Sequence, residues 1–142
     1  MDHDTTAPAD ATLLLDLDGL NVTSVTRLQD GSRVVLVDTA DECASACPIC
    51  GVFARRVKEH VYARPRDLPC GSGPVQLVWR KRRWYCDEEL CPRRSFTESV
   101  PAIPARSRIT TRLRAQAGDL VVNGITATVD AASRIAGLAW AP

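Results

Sequence analysis

Cys47-Pro48-Ile49-Cys50-Gly51 and Cys86-Asp87-Glu88-Glu89-Leu90-Cys91 decide how this chain folds. Each is a close cysteine pair, and 35 residues separate Cys50 from Cys86. A close pair forms a tight knuckle that supplies two thiolates, and two knuckles brought together make a tetrahedral metal site. Gly51 stands where the first knuckle folds back, a place that favours positive φ and hence glycine. The competing reading is reduced, buried cysteines with no ligand role, which are common in cores. Two pairs flanking a β-rich stretch favour the metal site. Four thiolates leave no open coordination position, so the site is structural, and one zinc ion per chain is expected. Zinc is preferred to iron because the second pair is spaced more loosely than in a rubredoxin-like site.

The residues between the knuckles alternate as strands do. Residues 52–64 (Val52, Phe53, Val57, Val61 and Tyr62 among basic residues) predict one strand with an irregularity near Glu59-His60. Arg66-Asp67-Leu68-Pro69 is expected to break it, and Gly71-Ser72-Gly73-Pro74 to turn the chain. Val75, Leu77 and Trp79 then alternate in a strand running through Arg80-Lys81-Arg82-Arg83-Trp84-Tyr85 into Cys86. Two strands, each tied to one knuckle, describe a zinc ribbon. Upstream, Val22 to Leu28 and Arg33 to Val37 flank Asp30-Gly31, which predicts a hairpin, with Leu13 to Leu15 as a short helical turn before it. Downstream, Pro101 and Pro104 mark an extended link. Ile109, Leu113, Ala117 and Leu120 have helical spacing, ending at Asn123-Gly124, and a second helix is expected from Thr126 or Thr128.

The expected class is therefore α+β: a small zinc-ribbon domain at 43–100, preceded by a hairpin at 12–42 and followed by helices at 105–142. Those helices read as the opening of a helix-turn-helix that the chain leaves incomplete. Residues 1–11 are polar and acidic and are expected to be disordered. With seven aromatic residues in 142 the core is thin, and a metal staple would strengthen it.

Charge adds a second theme. Residues 1–50 hold nine acidic and two basic side chains, a net of −7, whereas residues 51–142 hold sixteen basic and eight acidic ones, a net of +8. Clustered cations suit phosphates, although charge runs are usually solvated faces. The candidate DNA contacts are Arg80, Lys81, Arg82, Arg83, Arg93, Arg94, Arg108 and Arg112. Around Trp79 and Trp84, a strand with one packed and one solvated face explains the alternation by itself, and DNA contact is the additional reading. No Ser/His/Asp set, phosphate-binding glycine loop or HExxH motif occurs, so no enzyme activity is expected. A catalytic Cys70 lacks a base placed beside it. No membrane span or signal peptide is expected, and paired cysteines without an export signal suit a reducing cytoplasm.

Taken in order, several segments resemble the amino-terminal part of bacterial insertion-sequence transposases of the ISL-three family. They are the hairpin from Leu13 to Val37, Cys47 to Gly51, Arg64-Pro65-Arg66-Asp67-Leu68-Pro69, and Arg82-Arg83-Trp84-Tyr85-Cys86. Cys91-Pro92-Arg93-Arg94-Ser95-Phe96-Thr97-Glu98 and Arg108-Ile109-Thr110-Thr111-Arg112-Leu113 follow. The resemblance implies a zinc finger and a helix-turn-helix that bind the element's terminal inverted repeats in double-stranded DNA, with Cys47, Cys50, Cys86 and Cys91 as zinc ligands. It also implies a later Asp-Asp-Glu catalytic domain, which this chain is expected to lack, and a nucleoid-associated location. The alternative is a zinc-ribbon module for protein–protein interaction or transcription regulation.

Overall fold

The computed structural model describes residues 10–71 and 73–122. The chain is α+β, with one six-stranded sheet and two α-helices among the described residues. Helix α1 (Asp10–Leu15) leads into β1 (Leu20–Arg27) and β2 (Arg33–Thr39), which pair antiparallel as the hairpin expected around Asp30-Gly31. The Asp30 carboxylate accepts from the Ser32 N–H at 2.9 Å and holds the turn closed. A short 3₁₀ turn (Glu42–Ser45) precedes the first knuckle. Strands β3 (Val57–Ala63), β4 (Arg66–Cys70), β5 (Gly73–Tyr85) and β6 (Ser95–Thr97) follow, and helix α2 (Thr111–Val122) comes last.

The 13-residue β5 is the spine of the sheet. Along one edge its first half pairs parallel with β2, from Arg33↔Val75 to Asp38↔Arg80, and its last residues pair antiparallel with β6. Along the other edge lie β3 and β4. The hairpin and the zinc-ribbon segment therefore share one sheet through the β2–β5 pairing.

Arg66–Cys70 does not break the strand as expected; it is β4. Ala63 faces Trp79 and Arg66 faces Gln76, so β3 and β4 hold the same register against β5, and the interruption lies at Arg64-Pro65. Pro65 has no N–H to give a ladder. Instead the Pro65 carbonyl accepts from the Leu77 N–H at 3.0 Å, and the Gln76 side-chain amide donates to the Arg64 carbonyl at 2.7 Å. The irregularity in β3 falls between Val57 and Glu59, close to where it was expected.

Side chains on β5 alternate between two faces. Val75, Leu77 and Trp79 point to one face, where they meet Leu20, Val22, Val35, Val37, Val100 and Ile103 in the main core. Trp84 has the opposite parity and packs on the other face with Cys47, Ala54, Cys91 and Phe96. The expectation of one packed and one solvated face is thus corrected: β5 buries one face in its first half and the other at its end. At the start of β5, Gly73 lets the strand run close against the β1–β2 turn, where a Cβ would lie 2.2 Å from the Gly31 carbonyl oxygen.

Helix α2 begins where the sequence predicted a helix. Thr110 caps it, its Oγ1 accepting from the Leu113 N–H at 3.2 Å, and Leu113 is fully buried. Of residues 1–11, expected to be disordered, Asp10 and Ala11 instead open helix α1, and residues 1–9 lie outside the described residues, as do the second helix expected from Thr126 or Thr128 and the turn at Asn123-Gly124. No helix among the described residues is long and apolar enough to cross a membrane.

Candidate metal centre and nucleic-acid surface

Backbone hydrogen bonds build both knuckles. In the first, the Gly51 N–H donates to the Cys47 carbonyl at 2.8 Å and the Cys47 N–H to the Val52 carbonyl at 2.9 Å, closing the turn. Gly51 adopts φ +75°, the left-handed value its position predicted. In the second, the Cys91 N–H donates to the Glu88 carbonyl at 3.1 Å and the Cys86 N–H to the Arg94 carbonyl at 3.0 Å. β5 runs straight into Cys86, and β6 anchors the far side of the second knuckle through Trp84↔Phe96.

The four sulfurs of Cys47, Cys50, Cys86 and Cys91 all lie within 4.8 Å of one another. Cys47 Sγ and Cys91 Sγ are 3.9 Å apart, and Cys50 Sγ and Cys86 Sγ are 3.7 Å apart. Zinc–sulfur bonds of about 2.3 Å in a tetrahedron put sulfurs about 3.8 Å apart, so this spacing fits. It is far too long for a disulfide, whose sulfurs are about 2.05 Å apart. Cys43 and Cys70 are exposed and stand outside the cluster.

Electrostatics point the same way. Burial pushes the Cys47 thiol up, but the N–H groups of Cys50 and Ile49 outweigh it and bring it down to about 7. At Cys86 the Glu88 N–H pulls down, yet desolvation and the thiols of Cys50, Cys47 and Cys91 drive it up to about 12. Burial also raises Cys91. Thiolates crowded this closely repel one another, so the quartet is fully ionised only around a cation. Zinc, when bound, supplies a structural cross-link between β5, the 3₁₀ turn and β6; its four-sulfur shell leaves no position for a reactant.

The basic run Arg80 to Arg83 divides by parity. Arg80 is exposed and has no acidic partner among the described residues. Lys81 is half-buried with its ammonium 4.3 Å from the Trp79 ring centroid; burial lowers its pKa, while the charge of Glu98 opposes that shift. Arg82 pairs with Glu98 at 3.1 Å and lies over the Trp84 ring at 4.8 Å. Arg83 reaches Glu59 at 3.2 Å and Ser95 Oγ at 3.3 Å. Arg93 Nε donates to the Ser95 carbonyl at 3.0 Å, and Arg94 is exposed beside it. Arg108 is exposed, but its carbonyl accepts from the Arg66 N–H at 2.9 Å. The Arg112 guanidinium is turned inward onto Asp67, whose hydrogen bonds raise the Arg112 pKa. Arg80 and Arg82 are therefore on one face, Lys81 and Arg83 on the other, and Arg108 and Arg112 belong to the α2 junction.

Two acidic residues organise this surface without having stood out as functional. Glu98 is fully buried and takes the Arg82 N–H at 2.6 Å and Trp84 Nε1 at 3.3 Å, filling the gap between the ends of β2 and β6. Asp67 is buried and accepts from Thr110 Oγ1 at 2.7 Å and Arg112 Nε at 2.9 Å. Lone carboxylates in basic, β-rich segments were the available signal, but their partners lie 14 to 45 residues away.

Residues 44–91 match the family model described as the zinc-finger of transposase IS204/IS1001/IS1096/IS1165, a span that contains all four clustered cysteines. Residues 98–141 match the model of the helix-turn-helix domain of transposase family ISL3, whose first described helix is α2. No curated protein and no solved structure matches the chain. A four-cysteine ribbon followed directly by this helix-turn-helix places the chain in the ISL3 transposase family, as its N-terminal region.

Proposed function

We propose that this chain is the DNA-end-binding part of an ISL3-type transposase, recognising the element's terminal inverted repeats in duplex DNA. One structural zinc ion holds the ribbon, which supplies phosphate contacts, and the helix-turn-helix reads sequence. The observation that carries this reading is the succession of the two matched domains, with α2 fixed to the sheet through Asp67. A rigid junction lets the two modules meet one duplex in a set register. Strand cleavage and transfer belong to catalytic carboxylates of the family outside the two matched segments. Work on DNA in the cytoplasm is part of the same proposal.

Titration of labelled duplexes tests it. A duplex ending in the element's inverted repeat should bind more tightly than a scrambled duplex of the same composition, and both affinities should fall steeply with salt. Equal affinities would remove end recognition; no binding at low salt would remove the DNA reading altogether.

A second reading, a protein-docking module, draws on exposed Ile49, Phe53 and Leu90 around the knuckles. Substituting all three with Ser should leave DNA affinity intact under the first reading.

A further inference from the structure

The sheet has one face closed by the main core and one face that remains open alongside the knuckles. On the open face, Arg80 stands opposite Tyr62 of β3, and Arg82 stands opposite His60. The unbroken register of β3 and β4 places Arg64 next in the same row, opposite Val78. Arg64, like Arg80, is exposed and has no ion-pair partner among the described residues. Tyr62 is a large aromatic left 63% exposed. A hollow of about 200 Å³ opens here between Asp38, Thr39, His60, Arg80 and Arg82.

We propose that this open β3–β5 face tracks the phosphate backbone of duplex DNA, with Arg64 and Arg80 as its cations and Tyr62 donating its hydroxyl to a phosphate oxygen. The proposal deepens the DNA-binding reading above and rests on it. It departs from the linear basic run, because parity turns Lys81 and Arg83 to the other face and ion pairs engage Arg82 and Arg83. Lys81 lies on Trp79, Arg83 is held by Glu59, and Arg82 is tied to Glu98. Free guanidinium groups on a flat face of alternating residues are what a polyanion meets without first breaking an ion pair. Asp38 flanks Arg80 from the β2 side, opposite Tyr62 on the β3 side. Its charge confines the cationic strip to β3 and β5 and orients the duplex along them.

The test is the salt dependence of binding to a scrambled duplex by the full chain. Each phosphate contact contributes a slope of about 0.9 in log affinity against log salt. Arg64→Ala and Arg80→Ala should each flatten the slope by about that amount, and the pair together should lower affinity at least about tenfold near physiological salt. Tyr62→Phe should weaken binding at an unchanged slope. Arg80→Lys should keep the slope, which separates loss of a contact from loss of fold. Arg27→Ala, at the exposed end of β1, is the charge-matched control and should change neither quantity. Normal binding with an unaltered slope in the Arg64/Arg80 double variant would overturn the face. Absence of binding by the unaltered chain would instead overturn the DNA reading beneath it.

Discussion

Asp67 on β4 receives Arg112 of α2 through both carboxylate oxygens, Nε at 2.9 Å and Nη2 alongside, so one buried acid fastens the helix to the sheet. Thr110 completes the joint: its hydroxyl donates to Asp67 while accepting the Leu113 N–H in the first turn of the helix. The Arg66 N–H and carbonyl pair with Arg108 and Thr110 of the incoming chain, extending the sheet edge into the helix start.

Asp67→Asn keeps the volume but removes the charge that three donors address. Loss of a buried charge-assisted pair predicts destabilisation of about 2–3 kcal/mol in denaturant unfolding. Amide exchange in Thr111–Val122 should accelerate more than in β5. Equal acceleration in both would show that Asp67 supports the whole core instead of the junction.

Glu98→Gln probes the other buried acid. Glutamine can still accept the Arg82 N–H, but it cannot neutralise the Arg82 guanidinium, which is about one-third exposed. The expected cost is about 1–2 kcal/mol, moderated by solvent around Arg82. Thermal unfolding measured with zinc bound checks it, and an unchanged midpoint would mean the pair contributes nothing net.

Two glycine substitutions should differ in size for a stated reason. Gly51 has open space around its Cβ position, so Gly51→Ala carries only the left-handed backbone cost, about 1 kcal/mol. In Gly73→Ala the new methyl meets backbone of the β1–β2 turn, which cannot rotate away, and the loss should exceed about 2 kcal/mol. Chemical denaturation of both variants side by side gives the comparison, and equal losses would contradict the close approach of Gly31 and Gly73.

What could be read from the sequence was local. The Cys47–Gly51 knuckle, the Asp30-Gly31 hairpin and the start of α2 each carry their signals within a few residues. Arg66–Cys70 is a strand although Pro65 and Pro69 have the look of breakers. Both are tolerated, Pro65 between two strands in register and Pro69 near the end of a strand whose outer edge meets only a short stretch before α2. The parallel β2–β5 pairing had no local mark at all, since the two strands approach only after the knuckle and two further strands intervene. Nor could Arg80 be told from Lys81: their difference lies in strand parity combined with Trp79 and Glu98, whose places are set by long-range packing.

Metal content of the purified, reduced chain, by native mass spectrometry, tests the central claim most directly. One zinc ion per chain is expected, lost in Cys47→Ser and in Cys86→Ser together with protection of β5 and β6 from amide exchange. A metal-free chain with the sheet intact, or zinc retained in both variants, would contradict the four-cysteine centre as the scaffold of this protein.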